Sequence, residues 1–299
     1  MPIAPAPEAD PMLAQMAVSG IALGAIYGLV ALGIVLVYRA TGVINFAHGE
    51  GVMISAFIAW TLLEAGVPYW LAAILTIAAA ALIGLAIEVV LIGRFIGKPL
   101  LANAIATLGL YLILGDVAVW IWGKDPHDMA GPFSQAPILI GGVAVSLADL
   151  GIIATCLVLS AALFAFFRYA RTGIAMQAAM SNETAARLQG VPVARMHGLA
   201  WMLSYMVGAV AGLLIAPLTF LHFTMMQQAL HFAFAAAVLG GLTSMPGALV
   251  GGAIVGLTAN LTGAYVDSAF KEFMPFLVML AILIVRPSGL LGRHATKKI

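Results

Sequence analysis

Nine apolar runs, parted by short stretches that hold most of the charge, make up this sequence and leave few folds open to it. The chain has 299 residues, of which 63% are hydrophobic and only 8% charged. A soluble domain carries roughly 25% charged residues, because its surface has to face water. Thirteen basic and twelve acidic side chains cannot cover a body of this size, so the outside must be apolar and sit in lipid. Intrinsic disorder, a secreted disulfide scaffold and a soluble enzyme are excluded on this ground. A net charge of +1 gives no electrostatic basis for binding nucleic acid. The single cysteine, Cys156, lies in an apolar run and reads as a small core residue. The fold class is therefore an all-α membrane protein.

A spanning helix needs about 20 mostly apolar residues, and somewhat fewer where protein buries it on all sides. Runs of that kind cover 12–37, the stretch after Glu50 to Glu64, 69–93, 100–122, 147–167 and 196–218. Three shorter runs follow at 229–242, 247–263 and 275–285, with lengths that suit half-helices or helices buried in a bundle. The pattern predicts a polytopic bundle of about nine spans, with eight to ten compatible, forming one domain over 1–299. Arg39, Arg94, Lys98, Arg168, Arg171, Arg187, Arg195, Arg286 and the basic C-terminus fall on one side of the alternating map, and only Lys124 and Lys271 on the other. The positive-inside rule then places residues 1–11 outside as a short tail, and the 168–195 loop and the 287–299 tail in the cytoplasm.

Glycine is placed rather than scattered. Gly20, Gly24 and Gly28 lie four apart, as do Gly208 and Gly212, Gly247 and Gly251, and Gly252 and Gly256. Small residues at this spacing let helix backbones approach closely where lipid supplies no hydrophobic drive. Two polar, Gly-rich breaks interrupt the apolar pattern, one in each half. The first is Gly42–Gly51 with Asn45, Phe46, His48 and Glu50. The second is Gly240–Gly247 with Gly240, Gly241, Pro246 and Gly247. Paired breaks of this kind are what inverted-repeat transport folds show.

His48 and Glu50 stand two apart with no third His, Asp or Glu nearby, which makes a poor metal site. No metal and no cofactor is expected. Asn45 is placed to cap the following helix, with Glu50 in its first turns where negative charge is favoured. Glu88 and Asp116 are the acids inside spans, and ionisable groups at membrane depth suggest function by default. Pairing with Arg94 for the one, and snorkelling to the nearby helix end for the other, are the structural alternatives.

Within the 168–195 loop, Ser181 or Asn182 can cap a short helix that opens with Glu183 and Thr184. Arg187 follows Glu183 by four, the favourable order for an ion pair, and Gly190 with Pro192 ends the helix. A plain connector is typically 2–8 residues, so a structured helix here suggests a docking surface for a cytoplasmic partner.

The string from Gly42 to Glu50 resembles the signature of branched-chain amino acid ABC-transporter permeases of the LivH type. Residues 237–241 and 245–248 resemble that family's second glycine-rich break. Residues 178–191 are similar to its coupling-helix loop. Gly51, Ser55 and Thr243 depart from the pattern. The resemblance implies a permease subunit in the bacterial inner membrane. Its implied partners are a second permease subunit, two cytoplasmic ATP-binding subunits and a periplasmic substrate-binding protein. On the same grounds Ser181, Asn182, Glu183, Thr184, Arg187 and Gly190 would couple to the ATPase, and the two breaks would line or gate the pathway. Urea and amide importers use similar permeases. An ion-coupled secondary transporter using Glu88 or Asp116, and an intramembrane enzyme, are the rival classes. The chain has no Gly-x-x-x-x-Gly-Lys-Ser/Thr phosphate loop, and no His-Glu-x-x-His or nucleophile-elbow motif.

Overall fold

The computed structural model of the chain describes residues 11–140 and 143–292. Eleven α-helices are found among the described residues. They are α1 (Pro11–Thr41), α2 (His48–Glu64), α3 (Tyr69–Val90), α4 (Leu100–Trp122), α5 (Leu147–Tyr169), α6 (Arg171–Ser181), α7 (Glu183–Leu188), α8 (Val193–Thr219), α9 (Met226–Gly240), α10 (Met245–Tyr265) and α11 (Met274–Val285). Six of them, α1, α3, α4, α5, α8 and α10, are long and apolar enough to cross a membrane. The others of the apolar body, α2, α9 and α11, have 17, 15 and 12 residues. At 1.5 Å per residue they reach about 18–26 Å, short of a hydrocarbon core roughly 30 Å thick. The protein is an all-α, polytopic membrane bundle with shortened helices.

The organising helix is α1. Buried residues make up 83% of its apolar window, against 17% for α4, which lies at the periphery. It touches α5, α8, α9 and α10. The glycine spacing explains the closest of these approaches. Gly24 and Gly28 face Gly252 and Gly256 of α10, and a methyl group on Gly24 would stand 2.6 Å from the Gly252 carbonyl oxygen. In the same way Gly208 and Gly212 of α8 receive Val52 of α2, 2.7 Å from a methyl at Gly208 and 2.8 Å from one at Gly212.

The segment after α4, which its polar residues predict to be a loop, carries a small hairpin. Strands β1 (Pro137–Ile140) and β2 (Val143–Ser146) pair antiparallel, with Ile140 opposite Val143. Ser146 then caps α5, its side chain accepting from the Ala148 N–H at 3.1 Å.

Candidate functional site

Both sequence breaks lie in the interior of the bundle, and at the same end of α1. His48, the first residue of α2, packs against Gly33, where a methyl would stand 2.7 Å from its Nε2. Leu249, one turn into α10, packs against Gly28. Two helices therefore start some two turns short of Arg39, inside the membrane body rather than at its edge.

The first break is built by local hydrogen bonds. Thr41 Oγ1 donates to the Val37 carbonyl at 2.9 Å and accepts from the Val43 N–H at 3.3 Å, and Gly42 turns the chain with φ +70°. Asn45 is fully buried. Its Oδ1 accepts from the Ala47 N–H at 3.1 Å, and its Nδ2 donates to Tyr205 Oη on α8 at 3.3 Å. This corrects the capping expectation. The residue at the helix boundary is Ala47, which makes no side-chain cap, and Asn45 closes an Asx-type turn two residues earlier. Thr107 of α4 donates to the Ile44 carbonyl at 3.1 Å, which ties the break to the peripheral helix as well. Phe46 rests on Phe234 of α9, ring centroids 5.5 Å apart.

His48 is also fully buried, with Nδ1 3.5 Å from Ser204 Oγ and its ring edge-on to Tyr205. No group of three potential metal-ligating His, Cys, Asp or Glu side chains occurs among the described residues. Gly51, one of the departures noted above, is required here: any side chain would enter the ring of Tyr205.

Glu50 occupies the first turn of α2, as its position predicts. It lines a cavity of about 290 Å³ between α2, α4 and the segment leading into α9, together with Tyr111, Asp116, Lys124, Thr224 and Gln227. The structure thus brings Glu50 and Asp116, which the sequence leaves unconnected, to one place. Gln227 Nε2 donates to Tyr111 Oη at 3.3 Å across its rim. Tyr111, Lys124 and Gln227 are not evident from motif reading. The four-residue spacing of Tyr111, Gly115 and Val119, one face of α4, is a signal that could have found Tyr111, whereas Lys124, beyond the end of α4, and Gln227, on α9, carry no such local signal.

Glu88 does not join this site. It is buried at 6% exposure where α3 meets α8, and it lines a separate cavity with Arg195 and Gly198. The expected partner Arg94 turns its guanidinium back onto the Val90 carbonyl instead.

The second break is closed by the C-terminal segment. Gly241 takes φ +99°, Ser244 Oγ accepts from the Gly247 N–H at 3.1 Å, and Pro246 occupies the first turn of α10. The last carbonyls of α9, on Leu239 and Gly240, accept from the N–H groups of Leu290 and Leu291 at 2.9 and 3.1 Å. Gly240 and Gly247 touch backbone to backbone, which no side chain would permit.

The 168–195 loop holds two helices, α6 and α7. Asn182 caps α7, its Oδ1 accepting from the Ala185 N–H at 3.0 Å, while Ser181 Oγ donates back to the Gln177 carbonyl. Glu183 and Arg187 pair at 2.5 Å on the exposed face, and Thr184 is exposed beside them. Gly190, at φ +80°, ends the helix. Its N–H bonds the Arg187 carbonyl and that of Val191 bonds Ala186, the Schellman pattern. Leu188, at the tip, is 83% exposed.

Residues 16–283 match the family model described as branched-chain amino acid transport system, permease component. The high-affinity branched-chain amino acid transport system permease protein LivH of Salmonella typhimurium is 29% identical over 95% of this chain and 97% of its own. The corresponding protein BraD of Pseudomonas aeruginosa is 28% identical with the same coverage. A probable branched-chain amino acid transport permease protein LivH of Methanocaldococcus jannaschii is 30% identical over 88% of both chains. Among solved structures, PsaBC from Streptococcus pneumoniae in complex with Fab shares the fold at TM-score 0.50 and 14% identity, over 92% of each chain. The match along nearly the whole chain, together with the two interior breaks, places this protein in the family of branched-chain amino acid transport permeases.

Proposed function

We infer that the chain is the membrane-pathway subunit of a binding-protein-dependent ABC importer for branched-chain amino acids, and that it supplies no ATP hydrolysis itself. The substrate assignment rests on the relatives of near-complete coverage, all of them permeases for that substrate class. A second permease subunit, two cytoplasmic ATP-binding subunits and an external binding protein complete the importer on this reading. The basic helix ends face the cytoplasm of a bacterial inner membrane, which puts the N-terminus outside and the C-terminus inside.

The observation that carries the coupling role is Leu188. A large apolar side chain stands 83% exposed on a capped loop that the basic residues around it assign to the cytoplasm. An ATP-binding subunit is the partner this contact fits, with Ser181, Asn182, Glu183, Thr184, Arg187 and Gly190 holding α7 in shape beneath it. Motion imposed on α7 would pass through α6, which packs on α1, α5 and α8, to the central helix. The interior breaks are where the helices that line the pathway would then shift.

Deleting 181–190, or replacing Leu188→Asp, is expected to abolish substrate-stimulated ATP hydrolysis in the assembled complex. Unchanged stimulation would refute the coupling role. Uptake that survives ATP depletion and collapses with a proton uncoupler would refute the importer class.

A further inference from the structure

Glu50 is 4% exposed, and its Oε2 has no hydrogen-bond partner. A carboxylate oxygen withdrawn from water and left unpaired is costly, so a chain that keeps one in its interior has something to complete it. Glu50 borders the cavity between α2, α4 and the α9 approach, and Gly115 of α4 stands across from the oxygen with no side chain to cover it. Even a methyl there would sit 3.6 Å from Oε2.

The remaining walls have a definite chemistry. Asp116 supplies a second carboxylate, Lys124 an ammonium group, and Val119 and Phe223 an apolar surface. At about 290 Å³ the cavity is at the small end of the roughly 300–1,000 Å³ range of small-molecule sites. A metal ion held by protein wants three or more ligands, and no such group occurs among the described residues. An organic ammonium needs only acceptors. Lys124 and the apolar wall add places for a carboxylate and an aliphatic side chain.

We propose that this cavity binds the amino acid in transit, with Glu50 and Asp116 receiving its α-ammonium, Lys124 its α-carboxylate, and Val119 and Phe223 its branched side chain. The assignment rests on the importer reading above and gives the permease a share in selection that would otherwise fall to the binding protein alone. An amide or urea, lacking the ammonium, would leave Glu50 unanswered.

The test uses the complete importer reconstituted in vesicles and photo-leucine, a leucine analogue with a photoactivated diazirine in its side chain. After illumination, adducts are mapped by mass spectrometry. The expected adducts fall on residues 112–124 and 223–227, and excess leucine suppresses them. Glu50→Gln and, at the exposed rim, Lys124→Gln each lower them about tenfold, as loss of a charge-assisted contact should. Glu50→Asp retains part of the signal. If the wild-type complex takes up photo-leucine but is labelled elsewhere, or if both Gln variants are labelled like wild type, the site is wrong and the importer reading stands. The wild-type map decides the location even where a variant does not assemble. A complex that takes up no branched-chain amino acid overturns the importer reading, and this site with it.

Discussion

Gly24→Ala should loosen the α1–α10 contact, and the structure sets the scale. The new methyl would stand 2.9 Å from the Ala253 Cα and 2.6 Å from the Gly252 carbonyl oxygen, both backbone atoms. Carbon atoms pack at about 3.5–4.0 Å, so the helices must separate by roughly 0.6–1.1 Å along the seam. Overpacking of this kind costs about 1–3 kcal/mol. Alanine also gains up to about 1 kcal/mol over glycine in a helix interior, which would mask part of the loss. A second substitution removes that ambiguity. Gly109→Ala, in α4, gains the same propensity and meets no atom within 4 Å. The difference between the two variants isolates the close approach. Unfolding of the purified protein in mixed detergent micelles, titrated with dodecyl sulfate, should show Gly24→Ala less stable than Gly109→Ala by about 1–3 kcal/mol. Equal stability within about 0.5 kcal/mol would show that the α1–α10 seam is not held by backbone approach, and the packing argument would fail.

Tyr205→Phe removes the acceptor of the buried Asn45 Nδ2 and should cost about 1–3 kcal/mol in the same titration, with wild-type stability counting against the Asn45 turn as a structural anchor. Asn182→Ala should cost about 1 kcal/mol locally and raise amide exchange over 183–191, whereas Asn182→Asp should preserve protection; equal exchange in both would remove the capping role. Truncation after Pro287 withdraws the donors from the Leu239 and Gly240 carbonyls and should speed exchange at the end of α9, while leaving the α1–α10 seam unchanged.

What could be read in advance was whatever depends on neighbours in sequence. The apolar runs mark the helices, although the run ending at Glu64 is only the 17-residue α2 and the run at 247–263, which reads as short, belongs to the span-length α10. Four-residue glycine spacing marks α1, α8 and α10 as helices of close approach but not which helix each one meets, and Asn182, Glu183 and Gly190 set the shape of α7. The hairpin at 137–146 was also written locally, as β-branched runs flanking Gly141-Gly142, but the polar residues before it outweighed that signal. Asn45 was legible as a residue that bonds its own backbone. It was not legible as an Asx turn rather than a cap, because the register depends on Tyr205, 160 positions away. The Glu50 cavity is the least legible part. It draws on α2, α4 and the entry to α9, and the last two differ from α2 by 61–177 positions, so no window on the chain contains it.

Polar groups are few in this chain, which makes their distribution informative. Asn45 and His48, both fully buried, share Tyr205 as a neighbour, and Thr107 binds the Ile44 carbonyl, so three helices close on one turn. Each such group would be costly in hydrocarbon if its partner moved away, and the turn is therefore a place where a helix shift carries a definite penalty. His48 Nε2 and Glu50 Oε2 are the buried atoms of this stretch without a hydrogen-bond partner, and of the two residues Glu50 is the one that borders the cavity. A rigid knot beside an unanswered carboxylate couples two events. Whatever satisfies Glu50 alters the balance between helix arrangements in which its surroundings differ, and a ligand can shift such a balance only by its difference in affinity for the two. If the cavity takes cargo as proposed above, the string from Gly42 to Glu50 is more than a packing device: its first half fixes where α2 begins, and its last residue would be the one through which cargo bears on that position.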